Sequence, residues 1–380
     1  MLRSLERDPD ALDIFVPCTY REAMSGPRAS QWKVAMDSEM ASWRSTGTYV
    51  DAFPPPRANV VDGMWLFKVK RPPGSPPVFK MCYVERGFSQ REGVDFFQTF
   101  APTPKMTTLR VLLHVASQQD YELHPLDFST VFLQGRLHEE IWLRRPPGFT
   151  GTFPLRTKWS LRRLVYGLRQ SPREWHDTLR STLRDLGFHP SSADPSLFVQ
   201  FGSTPFFILL YVDDLVFDTA DRIALSEVMS ELQKRHTCTD LGELQRYLGL
   251  QITRDGAART ITLSLSHMLQ QVLQQFRLEH STTQPTPLAV DHRLTGPFPN
   301  EPFEPSGPYP ESLWAASSGM GLVLGGREPV VLTGHCDSSY ADDVEPQRLT
   351  QGYCFSLGAR AVSWRSTRSS SVVYAGAMAA

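Results

Sequence analysis

The stretch Phe206-Phe-Ile-Leu-Leu-Tyr-Val-Asp213-Asp214-Leu-Val-Phe-Asp218 reads as a β-hairpin with acid at its turn. Seven apolar residues make a buried strand, two adjacent carboxylates occupy the tip, and a second apolar run leads away. Aspartate is at home in a turn because it tolerates turn geometry. Two aspartates pressed between apolar strands without a basic neighbour are costlier, because half-buried carboxylates need a counter-charge, and a divalent metal is the usual remedy. A plain turn and a metal-binding turn both remain open on these residues alone.

Working outward, Tyr121-Glu-Leu-His-Pro-Leu-Asp127 is a second extended run, followed by a short helical turn through Phe132 to Gly135. Asp127, Asp213 and Asp214 at the ends of neighbouring strands suit two Mg²⁺ ions about 3.5–4 Å apart, one activating a hydroxyl and one stabilising a leaving pyrophosphate. Between these acids, Ser171-Pro-Arg-Glu174 has the form of a capping box with proline in the first turn. Trp175, Leu179, Leu183 and Leu186 then share a face before Gly187, which predicts a helix over 171–186. From Arg156 to Arg184 run eight basic residues against two acidic ones, a strip that suits a phosphate backbone or simply a solvated face.

The whole chain sets this core in context. Its 380 residues are 41% apolar and 11% aromatic, with 39 basic and 40 acidic residues, so disorder throughout is excluded and length allows about two domains. The run Phe206–Val212 is far short of the roughly 20 residues that span a bilayer, so no membrane segment is expected. The first residues mix both signs of charge without an apolar stretch, so an intracellular (cytoplasmic or nuclear), non-secreted protein is expected. Five scattered cysteines read as free thiols. Residues 1–47 predict a helical lead-in with Trp32, Ala35, Met36, Met40 and Trp43 on one face. Eight prolines between Pro285 and Pro310 mark a linker, and three short strands are expected around Val330–Thr333, Gly352–Leu357 and Ala361–Trp364.

Four motifs in order carry a resemblance. Leu126-Asp-Phe-Ser-Thr-Val-Phe-Leu-Gln-Gly135, Leu164-Val-Tyr-Gly-Leu-Arg-Gln-Ser-Pro-Arg-Glu-Trp175, Tyr211-Val-Asp-Asp-Leu215 and Leu241-Gly-Glu-Leu-Gln-Arg-Tyr-Leu-Gly-Leu250 together resemble the reverse transcriptase of Ty/copia-type LTR retrotransposons, part of a Pol polyprotein. Gly87–Asp95 and Phe100-Ala-Pro-Thr103 extend the match over about 48–290. The resemblance implies an α+β fold, with right-hand fingers and palm and an antiparallel palm sheet. It implies an RNA-directed DNA polymerase, a nucleotidyltransferase using Mg²⁺ or Mn²⁺, with an RNA or DNA template-primer and deoxynucleotide triphosphates as partners. Asp127, Asp213 and Asp214 match the catalytic and metal-binding aspartates. Phe132 matches the sugar gate, with a core aromatic as its rival reading. Gly167 and Gln170 match the segment beneath template and nucleotide, and Leu248 and Gly249 match the primer grip.

The departures are equally specific. The family's arginine in the finger strand is Cys82 here, leaving Lys68, Lys70, Lys80 and Arg86 as candidate triphosphate contacts. The thumb and connection are deleted, so the expected organisation is lead-in 1–47, fingers and palm 48–290, Pro-rich linker 291–319, and a truncated ribonuclease H-like remnant 320–380. In the remnant Asp337 matches one metal carboxylate and the family's later acids are missing, so no ribonuclease H activity is expected. A catalytically dead, nucleic-acid-binding relic is the alternative to an active polymerase.

Overall fold

The computed structural model describes residues 14–70, 75–149, 154, 156–276, 321–339 and 348–372. The expected linker 291–319 lies outside them. Helices α1 (Tyr20–Ser25) and α2 (Ala29–Ser45) lead to β1 (Tyr49–Ala52), β2 (Val60–Val61) and the hairpin β3 (Gly63–Lys70) and β4 (Val78–Glu85). The apolar spacing of α2 does what it predicts: Trp32, Met36, Met40 and Trp43 are buried. Trp32 meets Phe67 and Phe79 edge-on at 5.2 and 4.7 Å, so the lead-in is built into the core of the β3–β4 hairpin.

The chain continues through α3 (Met106–Gln119), β5 (Glu122–Phe128), α4 (Val131–Gln134), β6 (Trp142–Leu143), β7 (Lys158–Leu161) and α5 (Ser171–Asp185). It then adds β8 (His189–Pro190), β9 (Leu197–Gln200), β10 (Phe206–Tyr211), β11 (Asp214–Thr219), α6 (Arg222–Arg235) and β12 (Cys238–Asp240). Strands β1, β7, β6 and β2 form a small sheet beside the β3–β4 hairpin. The central sheet is antiparallel throughout, in the order β12-β5-β11-β10-β9-β8. Successive side chains of a strand point to opposite faces. Leu215 and Phe217 therefore meet Trp175, Leu179, Leu225 and Leu232 on one side, while Val216 joins Leu109, Leu113 and Leu123 on the other. Burial of both faces explains why Phe206–Val212 is continuously apolar instead of alternating.

Helix α5 matches the expected span, but not the expected cap. Gln170 occupies the N-cap position without a side-chain cap bond, and the Ser171 hydroxyl instead donates to the Val165 carbonyl at 2.7 Å. The buried position of Ser171 turns its hydroxyl inward, away from the first helical turn. Gly187 does take the left-handed conformation (φ +88°) expected at the helix end.

A further sheet comprises β13 (Arg246–Tyr247), β14 (Leu250–Asp255), β15 (Thr260–Ser264) and, after α7 (Ser266–Phe276), β16 (Gly321–Gly325). Strand β16 pairs with β15 along its length, and Leu324 is fully buried. The rest of the C-terminal region forms its own three-stranded sheet of β17 (Leu332–Ser339), β18 (Arg348–Leu357) and β19 (Arg360–Val372). The region after 320 therefore divides between two sheets. Its last two strands dock on α3: Leu357 and Val362 enter that core, and the Arg110 guanidinium lies 4.0 Å over the Trp364 ring. The molecule is a mixed α+β fold with several sheets.

Candidate active site

Strand pairing brings together acids that are distant in sequence. Asp127, near the end of β5, lies directly opposite Asp214, the first residue of β11. Asp213 sits in the two-residue turn between β10 and β11. Val212, the other turn residue, has φ +54°, an uncommon conformation for a β-branched side chain, whereas Asp213 keeps a negative φ. Positive φ at the first turn residue alone is the pattern of a II′ hairpin, which favours glycine there. The strained turn is tied down twice: the Trp175 indole N–H donates to the Val212 carbonyl at 2.8 Å, and the Phe128 N–H to the Asp213 carbonyl at 3.2 Å.

The electrostatics follow from three acids and few cations. Burial pushes the Asp214 carboxyl up to about 6, with the neighbouring Asp213 and Asp127 charges adding to the effect. Burial also raises Asp213, opposed by its own backbone N–H, reinforced by Asp127, and pulled back by Lys80. Tyr166 is likewise held above the usual phenol range by burial first and then by Asp213. On the other side Tyr247 is buried and raised by burial, with Asp214 adding to it.

Among the described residues, no group of three or more His, Cys, Asp or Glu side chains forms a preassembled metal cage. The donor chemistry nevertheless suits a hard divalent cation. Burial and like-charge repulsion raise Asp213 and Asp214, the groups a cation would restore to the charged form. Magnesium takes one or two protein carboxylates and completes its shell with water and substrate phosphates, so an open site is the appropriate form.

Comparison with known proteins decides the family. Residues 48–290 match the model of the family described as reverse transcriptase (RNA-dependent DNA polymerase). This chain belongs to the copia-type reverse transcriptase family. It is 29% identical to the Retrovirus-related Pol polyprotein from transposon TNT 1-94 of Nicotiana tabacum, over 96% of this chain and 31% of that protein. It is 28% identical to the corresponding protein from transposon RE2 of Arabidopsis thaliana, over 93% of this chain and 27% of that protein. The chain thus spans about a third of the length of the curated relatives it matches. Among solved structures, the foamy viral protease-reverse transcriptase in complex with dsDNA is similar at 13% identity and a TM-score of 0.46, over 90% of this chain and 67% of that one.

The other expected site residues of this reverse transcriptase domain fall into distinct environments. Lys80 is exposed on β4, opposite Lys68, and its charge reaches Asp213. Arg86 follows β4 and is also exposed. Leu248 (φ +51°) and Gly249 (φ +81°) form the tight turn between β13 and β14, with positive φ at both residues as in a I′ hairpin. Leu248 is exposed at that tip. Phe132 is 7% exposed and meets the Tyr166 ring edge-on at 4.7 Å. Asp337 lies on exposed strand β17, opposite Gly352.

Gln170 differs from the sequence expectation. It is fully buried, accepts from the Gln90 amide at 3.0 Å and donates to the Asp95 carbonyl at 2.9 Å. The side chain clamps the 87–95 loop onto the start of α5, leaving no free face for a template. Gly167 has φ +96°, and an added Cβ would come within 2.0 Å of the Glu85 carbonyl oxygen. Sequence reading missed Tyr166 and Trp175 as parts of the site. Both stand inside the quoted motif, and only pairing of the strands reveals that they reach the aspartates' turn.

Proposed function

We propose that this domain performs template-directed DNA synthesis, with Asp127, Asp213 and Asp214 as the catalytic carboxylates. The carrying observation is the β5–β11 register, which sets Asp127 opposite Asp214 beside Asp213. Mg²⁺ or Mn²⁺ held by these three carboxylates would supply the positive charge that activates a primer 3′-hydroxyl and stabilises the departing pyrophosphate. Lys80 supports the reading as a triphosphate contact, because it is exposed and its charge already reaches Asp213. Phe132 and Tyr166 act as one unit under the sugar: the Phe132 ring braces Tyr166, whose hydroxyl faces the carboxylates' field. The Leu248-Gly249 turn presents the primer strand, while Tyr247 behind it senses Asp214. The fingers and palm cover 48–290, and the exposed Asp337 strand contributes no ribonuclease H activity.

Primer extension with purified chain tests the reading directly. Deoxynucleotide addition on an RNA or DNA template, dependent on Mg²⁺ or Mn²⁺ and lost in Asp213→Asn, is the expected result. A folded chain that binds primer–template without extending it would establish the alternative, a nucleic-acid-binding relic.

A further inference from the structure

Trp175 ties the two halves of the acidic cluster to one another. Its indole, fully buried in α5, donates to the Val212 carbonyl at 2.8 Å. Its ring meets Phe128, the residue after Asp127, edge-on at 5.3 Å. It also meets His236, just before β12, at 5.5 Å, and His236 is itself within hydrogen-bond reach of Thr182 one side of α5 further on, at 3.1 Å. Phe128 closes the circuit, since its N–H donates to the Asp213 carbonyl. Both turn carbonyls are therefore held from outside the hairpin, one by Trp175 and one by the residue Trp175 packs against.

The turn needs such restraint. A β-branched residue at positive φ is strained and persists only where its surroundings over-determine it. Loss of the outer bonds lets Val212 relax to negative φ, and rotation of that peptide swings Asp213 relative to β5. The spacing of the carboxylates then changes, although no carboxylate has been touched. We propose that Trp175 is a positioning residue, whose N–H holds the turn so that Asp127, Asp213 and Asp214 present one cation site. This inference rests on the metal-dependent reading above for its consequence, and on the hydrogen-bond circuit for its mechanism.

Two replacements separate the donor from the bulk. Site-specific incorporation of β-(3-benzothienyl)alanine at 175 keeps the ring shape and replaces N–H by sulfur, whereas Trp175→His keeps a ring donor and loses volume. Hydrogen exchange of the metal-free protein reads the circuit itself. The expected result is that the Phe128 amide exchanges about five- to tenfold faster in the benzothienyl protein, while amides in the β9–β10 ladder are unchanged, because one hydrogen bond has been lost locally. Mn²⁺ titration followed by electron paramagnetic resonance should show weaker binding by a similar factor. Trp175→His should lie closer to wild type in both measurements, despite a lower melting temperature.

A purely structural tryptophan gives the opposite order, with the benzothienyl protein like wild type and Trp175→His impaired, and that result would overturn the proposal. Should wild type bind no Mn²⁺, the metal reading fails, and exchange at Phe128 still decides the role of Trp175. A Trp175→His chain that does not fold leaves the comparison of benzothienyl protein with wild type as the deciding measurement.

Discussion

Replacing Asp214 by Asn isolates the electrostatic cost of the acidic cluster. Asp214 is pushed up to about 6 in the folded chain from an ordinary 3.8. In the unfolded chain it ionises first, so the charged form is what the fold disfavours. Below about pH 4 the group is protonated in both states and contributes no difference. As pH rises from about 4 to 6 the unfolded state gains a charge that the folded state resists, and stability falls; above about 6 the penalty is constant. A shift of about two units corresponds to at most about 3 kcal/mol, and because the group is only half-buried, solvent screening reduces this to about 1 kcal/mol. Asp214→Asn should therefore melt about 2–4 °C above wild type at pH 7.5, with the gain shrinking to nothing by about pH 4. Taking the difference between the two proteins cancels the contributions of Glu85 and Asp218, buried carboxyls that burial also holds well above the usual range. Millimolar Mn²⁺ should reverse the order, since a ligand of the native state stabilises wild type by RT ln(1 + [L]/Kd) and the variant less. Differential scanning fluorimetry across pH, with and without Mn²⁺, makes the measurement. A variant less stable than wild type at pH 7.5, or a difference that does not change with pH, would refute the reasoning.

Three further outcomes follow from packing. Gly167→Ala should lower stability by more than about 2 kcal/mol in urea denaturation, because positive φ and the approach of the Glu85 carbonyl leave no room for a methyl group. Leu324→Ala should cost about 2–4 kcal/mol in the same cooperative transition as the central sheet, since Leu324 is fully buried in the α3 core; a separate early transition would show that β16 is not part of that unit. Phe132→Val should destabilise by about 1–3 kcal/mol and admit ribonucleotides in primer extension, and unchanged sugar selection in a folded variant would leave Phe132 as core alone.

Local patterns were legible wherever short-range chemistry decides the outcome. The α2 face of Trp32, Met36, Met40 and Trp43 follows from a helical period, and a turn at Asp213 follows from an apolar run ending in turn-tolerant acids, although the structure sets it one residue earlier, at Val212–Asp213, with Asp214 already in β11. Gly187 at the end of α5 follows from the freedom of glycine at positive φ. The capping box at Ser171 misled for a definite reason: Gln170 takes the N-cap position, so Ser171 is already the first helical residue, and its hydroxyl donates to the Val165 carbonyl. Gln170 misled in the same way, because its four hydrogen-bonding sites suit a template as well as the Gln90 and Asp95 groups that the fold brings beside it.

By itself, then, the sequence determined the family through motifs standing in order along the chain, and the α+β character, the acidic hairpin and the helix that flanks it through residues close together. Only the tertiary structure decided that Asp127 faces Asp214, that Trp175 reaches the Val212 carbonyl, and that Gly321–Gly325 pairs with β15. Strand register and side-chain reach depend on which surfaces exclude water together, and hydrophobic burial is non-directional: an apolar run announces that it will be covered without naming its cover.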